Sequence, residues 1–183
     1  MGSRGHRTRT TEVGRAALST KAAPTQVWER WIDHTTWPAW VADCREVVVS
    51  APLRCSSRGR RRLSTGSVED FVVTTFVPGR TYAETVRLIG ARLESRREVV
   101  CQHDGSEVSV AVSIHGRLAW LYRRRLARRL STSLPAELSR LVALAERRSA
   151  VGAGAPPLVS VEDVADVSVG DEGGPSHVRS PRA

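Results

Sequence analysis

The chain has 183 residues, 40% of them apolar, enough for one domain around one core. Its net charge is +9 and almost wholly arginine, since Lys21 is the only lysine. No run of about 18 apolar residues occurs, and the basic residues 1–10 lead into no apolar stretch, so the sequence predicts neither a spanning helix nor a secretory signal.

Residues 11–22 read as a strand, with Val13, Ala16 and Leu18 set among polar neighbours. Pro24 then opens a helix that runs to about Ile32 or Asp33, because proline is tolerated where no N–H is needed. Trp28, Trp31 and Ile32 stand at i, i+3 and i+4 and share one helix face. A turn follows, with Asp33 or Thr35 as cap of a second short helix that carries Trp37 and Trp40. Four of the five tryptophans therefore fall within residues 28–40.

From Arg45 the period becomes strand-like. Val47, Val48 and Val49 lead to Pro52, residues 58–66 form a polar strand candidate, and residues 67–77 carry Phe71 and Phe76 before the Pro78-Gly79-Arg80 turn. Strands over 81–88 and 91–100 come next. The hairpin turn at 103–106 leads to a strand with Val108, Val110, Val112 and Ile114 on one face. The loops are too short for parallel crossovers, so the sheet is predicted to be largely antiparallel, with about six or seven strands.

A long helix is expected over residues 118–148, on a stripe from Leu118 through Leu126 and Leu134 to Leu141. Pro135 lies inside that stripe and predicts a kink or a break near Ser133. Beyond residue 149 glycine, proline, serine and acids succeed one another without period. The reading is a basic disordered segment at 1–10, a domain at 11–149 and a disordered acidic tail at 150–183. Five acids against two arginines leave the tail at −3 and the rest at +12, so the tail is expected to brush the arginines of the long helix at low salt.

The proline, Val27-Trp28 helix and Trp37-Pro38-Ala39-Trp40 turn after a first strand, the strand and turn over 71–80, and Gly116-Arg117-Leu118-Ala119-Trp120-Leu121-Tyr122 resemble the START-like (helix-grip, SRPBCC) superfamily, in particular its polyketide cyclase/dehydrase and lipid-transport branch. The resemblance covers about residues 12–148. It implies an α+β helix-grip fold, a curved antiparallel sheet wrapped around the long C-terminal helix, with a cavity between them. It also implies a hydrophobic small molecule, lipid or polyketide-like, bound or transported there. The alternative is a cyclase, dehydratase or aromatase acting in the same cavity.

Reacting groups would be polar side chains that point inward. Tyr82 and Glu84 share one strand parity, Arg92 and Glu94 share another, and His115 faces water if the valines of its strand face the core. Tyr82, Glu84 and His115 are the catalytic candidates. Trp37 and Trp40 are expected at the cavity mouth, since a Trp-Pro-x-Trp turn is hard to bury whole. Phe71, Phe76, Trp120 and Leu121 complete the expected ligand contacts. No cofactor is implied: no P-loop, HExxH, Ser-His-Asp order or dinucleotide loop is present. Cys44, Cys55 and Cys101 have no metal-ligand spacing and read as reduced thiols of a cytoplasmic protein. Arg58, Arg60, Arg61 and Arg62 on the polar strand, and Arg123, Arg124, Arg125, Arg128 and Arg129 on the long helix, read as solvated faces. The other reading of these clusters is a weak contact with an anionic membrane or with RNA. Sequence-specific nucleic-acid binding is not expected, because no exposed aromatics interleave them.

Overall fold

Seven strands hydrogen-bond in the order β1-β7-β6-β5-β4-β3-β2, every neighbour antiparallel, in a computed structural model that describes residues 10–152. The strands are β1 (Thr11–Thr20), β2 (Cys44–Val49), β3 (Arg58–Leu63), β4 (Val68–Val77), β5 (Thr81–Leu88), β6 (Ala91–Gln102) and β7 (Gly105–His115). Register shifts in β1, β2 and β4 mark bulges, which bend a strand and increase its local twist. The fold is α+β, a curved antiparallel sheet gripping one long helix.

Two short helices, α1 (Pro24–Ile32) and α2 (Trp37–Trp40), follow β1, separated by a single 3-10 turn at His34–Thr36. Pro24 sits in the first turn of α1, and the Gln26 side chain accepts the Ala23 N–H, so two of the awkward groups at a helix start are handled locally. Val27, Trp28 and Trp31 form the buried face. The Asp33 carboxylate then accepts from the Thr35 N–H and opens the 3-10 turn, while Trp37 Nε1 donates to the Trp31 carbonyl at 3.0 Å. These contacts lock both indole-bearing pieces together at one end of the sheet.

The long helix α3 (Ala119–Gly152) is continuous, and Pro135 lies inside it. The break expected near Ser133 is therefore absent. Pro135 is exposed and its missing N–H leaves the Ser131 carbonyl on the solvent side, where water can take it. Leu134, Leu138 and Leu141 on the opposite side are buried and hold the helix to the sheet through the proline. Gly14 makes one close approach possible: a Cβ there would stand 2.8 Å from Leu130 Cβ. The helix is thus pressed on β1, at one edge of the sheet, and the strands beyond are left further from it. Residues 1–9 and 153–183, which carry most of the two expected disordered segments, lie outside the described residues. No helix of the described residues is long and apolar enough to cross a membrane.

Candidate ligand cavity

A cavity of about 540 Å³ opens between the first half of α3 and strands β3 to β6. Its apolar wall is Leu121, Leu126 and Leu130 from the helix, facing Val86, Leu88 and Leu93 from the sheet. Its floor is charged. Glu84 of β5, Arg61 of β3 and Arg97 of β6 all point inward, joined by Glu137 from α3.

Glu84 is 1% exposed and is held by three neighbours. Arg61 Nη1 donates to Glu84 Oε1 at 2.8 Å, and Arg61 Nε donates to Glu69 at 2.8 Å. Tyr82 Oη donates to Glu84 Oε2 at 3.4 Å, and Arg97 Nη2 stands 3.6 Å from Oε1. Burial alone would raise the Glu84 carboxyl. The Arg97 and Arg61 guanidiniums together outweigh it and hold the group below the usual carboxylate range. Glu84 therefore remains ionised, a structural anion between two cations. Burial, with the Glu84 charge added, pushes the Tyr82 phenol well above its ordinary value. His34 Nε2 lies 3.3 Å from Tyr82 Oη, and burial lowers its pKa.

Arg97 is 4% exposed and stacks on three rings, with its guanidinium carbon 4.9 Å from the Trp37 centroid, 5.6 Å from Tyr82 and 5.8 Å from Trp40. The rings fix its position, Nη2 faces Glu84, and Nη1 is covered by protein atoms. Nη1 finds no hydrogen-bond acceptor among the described residues, although Arg97 lines the cavity. A buried charged donor without an acceptor costs more than an ordinary hydrogen bond returns, so an oxygen reached by a small shift of the Arg97 side chain toward the cavity would relieve it. Glu137 is half-buried on the same wall. Burial raises its pKa against the pull of Arg97 and a backbone hydrogen bond from Ala42. Of Glu84 and Glu137, it takes a proton the more readily.

The structure distributes the sequence candidates unevenly. Glu84 borders the cavity, and Tyr82 lies beneath it against Trp37 and His34. His115 is on the outer face of β7, in a separate groove with Arg87, Arg92 and Glu94, its Nδ1 3.0 Å from Thr10 Oγ1. Arg92 and Glu94 also face outward. The inward parity of β6 is Leu93, Ser95, Arg97 and Val99. Trp37 and Trp40, expected at the mouth, are buried at 0% and 2% instead, because Trp37 stacks on Phe71 and Arg97 covers both indoles. Phe71 is buried in that stack, and Phe76 packs on Trp28 at 5.5 Å. Leu121 borders the cavity, while Trp120 points to solvent outside its lining.

Arg61, expected on a solvated face with its arginine neighbours, is instead turned inward and paired with Glu69 and Glu84, and Arg97 and Glu137 carried no expectation as site residues. The alternation Leu93-Ser95-Arg97-Val99 carried the signal for Arg97, and Gly59-Arg61-Leu63 carried it for Arg61. No group of three or more His, Cys, Asp or Glu side chains among the described residues is placed to hold a metal ion.

No family model and no curated protein matches the chain. Solved structures do. StfQ, a di-domain ARO/CYC from the steffimycin biosynthetic pathway, is similar at 14% identity and a TM-score of 0.64, over 77% of this chain and 52% of that one. Protein MLL2253 from Mesorhizobium loti is similar at 16% identity and a TM-score of 0.62, over 76% and 98% of the two chains. The fold is the START-like helix grip. A norcoclaurine synthase point mutant from Thalictrum flavumn, solved with a transition-state analogue, shares this fold at 11% identity and a TM-score of 0.60, over 78% and 98%. The chain spans about half the length of StfQ and of BexL, another di-domain ARO/CYC. At these identities the likeness establishes the helix-grip architecture.

Proposed function

We propose that this protein binds a hydrophobic small molecule, polyketide-like or lipid, in the cavity under α3 and holds one acidic or carbonyl oxygen of it on Arg97. The observation that carries this reading is the ring-stacked guanidinium of Arg97, with no acceptor for its Nη1 among the described residues, on the charged floor of a cavity whose facing helix and sheet walls are apolar. A volume of about 540 Å³ lies in the range of small-molecule sites. A few charged groups gathered at one end of an apolar wall are the usual way such a site fixes a ligand's orientation. The ARO/CYC proteins and the norcoclaurine synthase that share the fold favour an aromatic or polyketide-like ligand. A cytoplasmic setting fits the three free cysteines.

The test is native mass spectrometry and thermal shift with polycyclic aromatic acids such as anthracene carboxylate, against the protein and a Leu126→Trp variant that fills the cavity. Binding to the parent chain and loss in the folded variant are expected. Equal binding to both would place the ligand elsewhere and overturn the reading.

A second reading, a cyclase or dehydratase, has one observation in its favour. Glu137 combines a raised pKa with a position on the cavity wall near Arg97, which suits a general acid or base whose partner polarises a carbonyl. Glu84 fits that role poorly, because Arg61, Arg97 and Tyr82 engage both its oxygens and its lowered pKa makes it a weak base and no proton donor. Turnover of a β-keto substrate with loss of water, abolished by Glu137→Gln, is its expected signature. Binding without turnover leaves the first reading.

A further inference from the structure

The β5–β6 turn and the start of α3 meet at a tip that carries bare apolar side chains. Ile89 is 82% exposed, Trp120 70% and Leu121 53%. They are held in place. The Leu118 N–H donates to the Gly90 carbonyl at 3.0 Å and Tyr122 Oη donates to the Ile89 carbonyl at 3.1 Å. Gly90 has φ +65°, and a Cβ there would stand 2.6 Å from the Leu118 side chain, so the turn closes directly onto the helix start.

Positive charge surrounds this tip. Between Glu107 and Glu137 the chain has no acid, yet it carries Arg117, Arg123, Arg124, Arg125, Arg128 and Arg129. Among the described residues only Arg129 of this set is ion-paired, to Asp43 at 2.6 Å. Arg87 and Arg92 face each other across the β5–β6 hairpin. Along α3, Trp120, Arg124 and Arg128 recur every four residues, and Leu121 and Arg125 lie on the adjoining row. One solvent-facing side of the helix thus combines an indole, a leucine and three arginines.

We propose that this tip docks on an anionic lipid bilayer, with Trp120, Leu121 and Ile89 in the headgroup–acyl boundary and the arginines on lipid phosphates. Indoles settle at that boundary because one edge is apolar and one is a donor. Each basic side chain near an anionic leaflet contributes about 1 kcal/mol. A turn and a helix end side by side form a protrusion, which a bilayer takes up without a matching pocket, whereas an acidic protein would need one. Leu121 also borders the cavity, so docking would set the cavity mouth at the membrane. The docking itself does not depend on what the cavity binds.

The test is co-sedimentation of the full chain, without added ligand, on vesicles of phosphatidylglycerol and phosphatidylcholine in equal parts and on phosphatidylcholine alone. Tryptophan emission is recorded on the same samples. Four of the five indoles are already buried, so a blue shift on binding reports Trp120. Expected are binding to the anionic vesicles only, a blue shift, and a steep loss with salt. Arg124→Ser with Arg128→Ser should weaken binding about 25-fold, roughly fivefold per arginine. Trp120→Ser should weaken it about tenfold and abolish the shift. All three side chains are exposed, so unchanged melting temperatures verify that the variants fold. Equal binding to neutral vesicles, binding without the shift, or no binding at low salt overturns the proposal. Absence of vesicle binding together with salt-sensitive retention on polyglutamate would assign the surface to an acidic protein instead.

Discussion

The two halves of α3 carry the same leucine spacing and meet different surroundings. In the second half Leu138, Leu141 and Ala145 are 0–2% exposed against the sheet and α1. In the first half Tyr122, Leu126 and Leu130 are half-buried and Leu121 is 53% exposed, because the cavity lies beneath them. The difference shows that an apolar stripe specifies which face turns inward, while the opposing surface decides whether that face is filled. Gly14 sets the contrast by letting the helix settle on β1 at Leu130, so the space opens toward β3 to β6.

Truncation should separate the halves most sharply. Leu141→Ala removes a fully buried side chain and is expected to cost about 2–5 kcal/mol in urea unfolding. Leu126→Ala, over the cavity, should cost roughly 1 kcal/mol and weaken ligand binding instead. Equal losses would erase the distinction between a packed and a hollow half.

The floor of the hollow half is expected to come next. Glu84→Gln puts a neutral acceptor between Arg61 and Arg97 and should cost about 2 kcal/mol at neutral pH. Its sign with pH follows from the lowered folded pKa. The Glu84 contribution is fully present above the ordinary carboxylate value of 4.5 and is lost as pH falls through the folded value, so the variant should lose less stability in acid than the parent. A parent and a variant with parallel acid profiles would mean that the ion pair is not formed.

Glu137 should give a smaller effect of the opposite sign. Its folded pKa is raised, so the folded state holds its proton longer and stability falls as pH rises from the ordinary value to the raised one. Glu137→Gln should flatten that fall in a pH series of melting temperatures. Smallest of all, Trp120→Ser at the exposed tip is expected to change stability by no more than about 0.5 kcal/mol.

Most of the fold was legible in the sequence. Alternation of Val108, Val110, Val112 and Ile114 marked the inner face of β7, and the spacing of Trp28 and Trp31 marked the buried face of α1. The site was less legible, for a physical reason. Period-two alternation marks a face by its apolar members, so an arginine at an inward position, such as Arg97 between Ser95 and Val99, reads as a surface charge. The Glu84 carboxylate and the stack of Trp37, Trp40 and Tyr82, brought together from distant segments, make its burial tolerable. The same stack buried the two indoles that a sequence reading sets at the mouth. The cavity itself left no local mark, since it depends on how far the helix stands from each strand.

The central claim is that Arg97 anchors an acidic oxygen inside the cavity, and the most direct measurement is isothermal titration of an aromatic carboxylate beside its methyl ester, on the parent chain and on Arg97→Met. The parent is expected to bind the acid at least about tenfold more tightly than the ester, and the variant to bind the two alike. Equal affinities for acid and ester in the parent, or a preference for the acid that survives in Arg97→Met, would contradict it.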